Sequence, residues 1–331
     1  MIVLQWGSVA VYRYGLAMAC AALIALLFME YLGKRQGLRY GTVSHFALWA
    51  IPLGVLGGRL GYCLVSFNWL MEQGLSFFFQ FARGGYMLYG AMAGVILAGF
   101  LTGKCTRQNA GRILDVAAAP AALLIALGRI AEPLVGLGYG HNIEEWFDPF
   151  AEKSMVAWED PSLLYRFPLG AQDYYGDWNF AIFLPEALTA LAILMILLAM
   201  KPRREGGKAL LTVLLYAACQ TIWESMRQDA VLRWGFVRCS QLISALAIAA
   251  VLVICWRNLP PNEKTLGRLA AGFGWILLCC GVIMAMEFAL EQKIDFLTWM
   301  RMDVCYLVMA LGSLGLIFSV LPVWKKAYER K

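Results

Sequence analysis

Ile113-Leu114-Asp115-Val116-Ala117-Ala118-Ala119-Pro120-Ala121-Ala122-Leu123-Leu124-Ile125-Ala126-Leu127-Gly128-Arg129-Ile130-Ala131-Glu132-Pro133-Leu134-Val135 is the stretch on which the fold turns. As a helix rising about 1.5 Å per residue it is long enough to cross the roughly 30 Å of hydrocarbon in a bilayer. Eight further apolar runs surround it, near 9–31, 44–66, 86–103, 180–200, 209–226, 240–256, 269–290 and 304–323. The third and seventh of the nine are short, which predicts a tilted or partly re-entrant segment at one of them. Hydrophobic residues make up 61% of the 331 and charged ones only 15%, too few to cover a soluble domain of this length. The predicted fold is therefore all-α, a polytopic transmembrane bundle of about nine helices.

The basic residues orient the bundle. One set of alternate loops, around 34–39, 104–112, 201–208, 257–268 and 325–331, holds 17 of the 28 Lys and Arg, and the opposite side holds nine. The positive-inside rule places the carboxyl terminus in the cytoplasm and the amino terminus outside. The same bias accounts for the net charge of +6, so no nucleic-acid partner is expected. The first apolar run has no small-residue cleavage site and reads as a retained helix. The nine Cys form no CxxC or Cys/His cluster, and His45 and His141 are far apart, so no metal site is expected. Between helices 4 and 5 the segment 137–179 is acidic and rich in Trp and Tyr, which predicts an interfacial cap on the outer face. The stretch 67–83, with Phe77, Phe78, Phe79 and Phe81, reads as a short helix in the interface plane.

Several charges lie where charge is costly. An ionisable side chain at membrane depth costs at least about 2.5 kcal/mol on insertion scales. Arg59, Arg129, Glu132, Glu186, Glu224 and Arg227 lie in or at the ends of apolar runs, and Asp115 opens the fourth run as an expected cap for that helix. Glu224 and Arg227 are spaced i, i+3 and project from one helical face. Arginine grips phosphate through two parallel hydrogen bonds, so the group suits a phospholipid headgroup. A structural role is the competing reading: an ion pair for Arg129 and Arg227, and for Arg59, where it is the stronger reading, pairing with a carboxylate or with helix-end carbonyls.

Segments in a consistent order resemble a known family. They are Tyr12-Arg13-Tyr14-Gly15-Leu16, Gly57-Gly58-Arg59-Leu60-Gly61-Tyr62, Gly84 to Ala91, Gly128-Arg129-Ile130 with Gly136 and Gly140, Glu224-Ser225-Met226-Arg227-Gln228, and Gln241-Leu242-Ile243-Ser244. Over roughly residues 10–256 they are similar to the bacterial prolipoprotein diacylglyceryl transferases. That resemblance implies a transferase that moves diacylglyceryl from phosphatidylglycerol to a cysteine thiol in the signal peptide of a lipoprotein precursor. It also implies an inner-membrane location among membrane lipids, with no cofactor. Carried onto this chain, it makes Tyr89, Arg129 and Glu132 the expected catalytic residues. Tyr14, Arg59, Arg129, Glu186, Gln220, Glu224 and Arg227 are expected to bind substrate. Arg129, Arg227, Glu224 and Tyr89 should then converge on one cavity in the outer half of the bundle, with Glu186 or Glu132 pairing with an arginine.

The chain departs from the family pattern at several of these positions. Tyr89 stands where the family has a histidine, Gln220 where it has an arginine, Glu132 where the signature has an asparagine, and Leu137 where it has a glutamate. The resemblance covers a membrane domain of residues 1–264 and leaves two further helices in 265–331. A phospholipid-binding paralogue with lost or altered chemistry, or a lipid transporter, stays open at this point.

Overall fold

The computed structural model describes residues 2–6, 9–81, 84–143, 170–173, 175–228, 233–234, 237–291, 293 and 300–329. Among them are nine apolar helices and one short one. In chain order they are α1 (Arg13–Arg35), α2 (Thr42–Val65), the short α3 (Phe67–Gln73), α4 (Leu88–Thr106), α5 (Ala110–Ala131), α6 (Phe183–Ala199), α7 (Gly207–Met226), α8 (Cys239–Arg257), α9 (Leu266–Leu290) and α10 (Met302–Tyr328). Eight of them are long and apolar enough to cross a membrane, and this is a multi-pass membrane protein. The ninth, α6, has 17 residues. The short member is thus the fifth run rather than the third or seventh. Residues 178–180 pair with 170–172 as a two-stranded hairpin, so the fifth helix starts three residues late. Most of the predicted outer cap, 144–169 and 174, lies outside the described residues.

α5 sits at the centre, and more than half of its buried residues are alanine: Ala117, Ala118, Ala119, Ala122, Ala126 and Ala131. Without a hydrophobic driving force between helices in lipid, small residues gain van der Waals contact by letting backbones approach. α1, α4, α6 and α7 all pack on this helix. α2 and α4 take the same device further. A Cβ on Gly57 would fall 2.4 Å from the Gly90 carbonyl oxygen, so the two backbones touch there. α3 follows at the surface with Trp69 and Met71 exposed, and the 3-10 turn after it, Gly74–Phe77, exposes Leu75, consistent with an interfacial helix.

Asp115 caps a different helix from the expected one. Asn109 caps α5 itself, accepting from the Gly111 amide at 2.9 Å. Asp115 reaches across to the start of α7, where its oxygens accept from the Gly206 amide at 2.7 Å and the Ala209 amide at 2.9 Å. Those are the orphan donors of a helix N-terminus, met by a side chain of a neighbouring helix. The last two helices form a hairpin, and α10 lies against α7 and α8. Trp324 is fully buried there and donates from Nε1 to the Gly207 carbonyl at 2.9 Å.

Candidate functional site

Three helix ends meet on one side of α5. Arg129 occupies the last turn of α5, and Arg227 follows the last turn of α7. Glu186 lies in the first turn of α6. Each charge therefore has the sign that its helix end favours, cations at the negative C-termini and the anion at the positive N-terminus. The loop from Gly136 to Ile143 stitches the ends together. Gly138 O accepts from Phe183 N at 2.9 Å, Gly140 N donates to Phe180 O at 2.7 Å, and Tyr139 O accepts from Gln228 N at 3.0 Å. Gly140 is required there, since a Cβ would stand 2.8 Å from the Met226 carbonyl oxygen. The ring of the next residue, His141, meets Gln228 and Tyr306. Burial, and then the nearby Arg238, holds its imidazole below the ordinary pKa.

The charges form a closed group of four. Arg129 Nη1 lies 2.5 Å from Glu132 Oε1 and 3.3 Å from Glu186 Oε2. Arg227 Nη1 lies 3.1 Å from Glu132 Oε2 and 2.9 Å from Glu186 Oε2. Both carboxylates thus bridge both arginines. Glu186 is 2% exposed, behind the others. Gln220 ties in the next carboxylate, donating to Glu186 Oε1 and to Glu224 Oε2, each at 3.2 Å. Arg129 Nη2 donates to the Tyr216 hydroxyl at 2.8 Å and to Gln220 Oε1 at 3.4 Å.

This group walls a cavity of about 460 Å³. Tyr14, Tyr89, Arg129, Glu132, Gln220, Glu224 and Arg227 all line it. Seven of the residues expected from the sequence are therefore together, and Glu186 backs them. Arg59 is elsewhere, as its structural reading anticipated. Its guanidinium donates to the carbonyls of Phe77, Phe78 at 3.1 Å, Gly84 at 2.5 Å and Gly85 at 3.0 Å, and it lies over the rings of Tyr62 and Phe77. It fastens the segment that leads into α4 and is not a lining residue. Tyr89 pairs with the Ser244 hydroxyl, so the phenol held by an arginine is Tyr216.

The sequence reading did not single out Tyr216. A signal was available: 216, 220 and 224 are spaced i, i+4, i+8 and fall on one stripe of α7. Arginine, phenol and carboxylate side chains at membrane depth can bind a phosphate, accept a proton and shield both from water.

The family model of the prolipoprotein diacylglyceryl transferases matches residues 1–257. The chain belongs to this family. Similar proteins include the phosphatidylglycerol–prolipoprotein diacylglyceryl transferase of Listeria welshimeri, 25% identical over 278 residues, covering 81% of this chain and 95% of that protein. The protein of the same name from Clostridioides difficile is 27% identical over 242 residues, covering 72% and 88%. That from Enterococcus faecalis is 26% identical over 268 residues, covering 79% and 91%. The family match includes every residue of the four-charge group and stops before α9.

Proposed function

We propose that this protein is a phosphatidylglycerol–prolipoprotein diacylglyceryl transferase, with residues 1–264 as the transferase and 265–331 as a two-helix extension. The observation that carries the reading is the pair of guanidiniums, Arg129 and Arg227, held beside one another against the 460 Å³ cavity by Glu132 and Glu186. A phosphodiester headgroup entering that cavity meets two aligned cations, with no reorganisation needed at the moment of reaction.

In the reaction the cysteine sulfur bonds to the terminal glycerol carbon of the diacylglyceryl group. The bond from that carbon to the phosphate oxygen breaks, and its electron pair leaves on glycerol phosphate. The thiol proton must go to a base, because the thiolate is the nucleophile. Glu132 is suited to receive it. Its side chain lines the cavity, with Oε2 buried 3.1 Å from Arg227 Nη1. Proton arrival at Glu132 also removes a negative charge from the two arginines. Their field is then released toward the phosphate as its own charge grows, which is the differential stabilisation that catalysis needs.

Purified protein in vesicles, given labelled phosphatidylglycerol and a peptide bearing a lipobox cysteine, should yield a thioether-linked peptide and free glycerol phosphate. Well-folded protein that binds the lipid but leaves the peptide unmodified would sink the transferase reading in favour of a binding paralogue.

The proposed location is a bacterial inner membrane, with the amino terminus outside and the tail in the cytoplasm. The basis is the distribution of Lys and Arg between the two sets of loops. In a background with the nine native Cys replaced, Tyr175→Cys should react with an impermeant thiol reagent in spheroplasts, and Glu205→Cys should not. The reverse labelling would refute the orientation.

A further inference from the structure

Two buried charges outside the four-charge group sit at the wrong helix ends. Arg238 immediately precedes α8, where the helix dipole is already positive, and Glu287 lies in the last turn of α9, where it is negative. Each is less than a tenth exposed. They face each other, with Arg238 Nε 3.4 Å from Glu287 Oε1. The pairing relieves both, and removing one partner leaves the other charge buried and uncompensated.

The rest of Arg238 points at the site. Its Nη1 donates to the Glu224 carbonyl and, at 3.3 Å, to the Arg227 carbonyl. Those two carbonyls belong to the end of α7, where backbone acceptors have no intrahelical donor. Glu287 holds the same turn directly. The Ser225 hydroxyl donates to its Oε1, and Gln241 Nε2 donates to it at 2.8 Å. From α10, the Tyr306 hydroxyl donates to the Ser225 carbonyl at 3.3 Å. The α9–α10 hairpin thus grips the back of the helical turn whose front carries Gln220, Glu224 and Arg227 into the cavity.

We propose that the C-terminal hairpin is a clamp on the lipid site, and that Glu287 is its positioning residue, acting through Arg238 and Ser225 to fix Arg227. The inference concerns residues beyond the family match and deepens the transferase reading on which its catalytic consequence rests. It explains why two helices added after residue 264 carry buried polar groups at all. A purely lipid-facing appendage has no use for Glu287 at that depth, because an unpaired carboxylate there opposes insertion.

The test uses the full chain in phospholipid vesicles. Glu287→Gln keeps an oxygen for Ser225 and Gln241 but removes the charge beside Arg238, and Glu287→Asp keeps the charge at shorter reach. Two readouts are taken: transfer to a lipobox peptide, and hydrogen exchange of peptides covering 220–228. Glu287→Gln should lower kcat/KM about 10- to 100-fold, as expected for a displaced positioning group. It should speed exchange in 220–228 while α1 and α2 stay as in wild type, and Glu287→Asp should recover most of both. Unchanged kcat/KM and unchanged local exchange would overturn the clamp. If the wild type itself transfers no lipid, the exchange readout still decides the clamp, and only the transferase reading falls. Should Glu287→Gln not be recovered folded, Tyr306→Phe replaces it, since it loosens the same turn without stranding a charge. Faster exchange confined to 220–228 then supports the clamp, and wild-type exchange overturns it.

Discussion

Arg129→Ala should lower the rate of diacylglyceryl transfer by about 10²- to 10³-fold, the usual loss when one preorganised donor to a developing negative charge is removed. Four interactions disappear together, among them the hydrogen bond to Gln220 Oε1 at 3.4 Å. Arg129 holds Glu132 at 2.5 Å, Glu186 at 3.3 Å and the Tyr216 hydroxyl at 2.8 Å. Without it, two carboxylates remain around Arg227 alone, and the four-charge group turns from balanced to negative, with Glu224 adding a further carboxylate to the cavity wall. A phosphodiester is then repelled where it was attracted. Arg129→Lys restores the charge but not the fork, because an ammonium cannot hold the phenol and both carboxylates in one plane. It should therefore recover only part of the rate. Initial rates with labelled phosphatidylglycerol and a lipobox peptide measure both variants, with recovery of folded protein as the control. A folded Arg129→Ala variant within about threefold of wild type would rule out the guanidinium as the phosphate grip.

The architecture was largely legible in the sequence, because length and apolarity alone define a membrane helix. All nine predicted runs are helices, with ends displaced by a few residues. The displacements have causes. α6 starts late because Trp178–Phe180 is drawn into a hairpin, and α10 runs on to Tyr328 because Trp324 and Tyr328 find buried contacts beside Gly207. The cavity residues were legible too, since Arg129, Glu224 and Arg227 are costly charges that local spacing puts on definable faces. What the sequence could not supply was pairing between helices. That Glu132 and Glu186 each bridge both arginines depends on how three helix ends converge, and no local pattern encodes it. Asp115 shows the same limit. Its role as a helix cap was readable, but the helix it caps lies more than ninety residues further along the chain. Arg238 and Glu287 escaped notice because one looked like an ordinary loop cation and the other like the end of an extra helix.

Glu132→Gln should be the second severe variant, lowering kcat by about 10²- to 10³-fold while leaving lipid binding nearly intact. General-base removal commonly costs 10²- to 10⁴-fold. Glutamine keeps the shape of the side chain and can still accept from Arg129, so the headgroup grip should survive. The position also carries an exchange within the family pattern. Where the signature has asparagine this chain has Glu132, and where the signature has glutamate it has Leu137. Both side chains line the same cavity. This chain therefore presents a carboxylate to the cavity from position 132 and an apolar side chain from position 137. The double variant Glu132→Asn with Leu137→Glu puts the carboxylate back at the family's position. If the cavity needs one carboxylate rather than Glu132 itself, the double variant should run at least tenfold faster than Glu132→Asn alone. Parallel rate and lipid-binding measurements on Glu132→Gln, Glu132→Asn and the double variant decide the matter. Near-wild-type turnover by Glu132→Gln would remove Glu132 as the base and leave it as a structural partner of the two arginines.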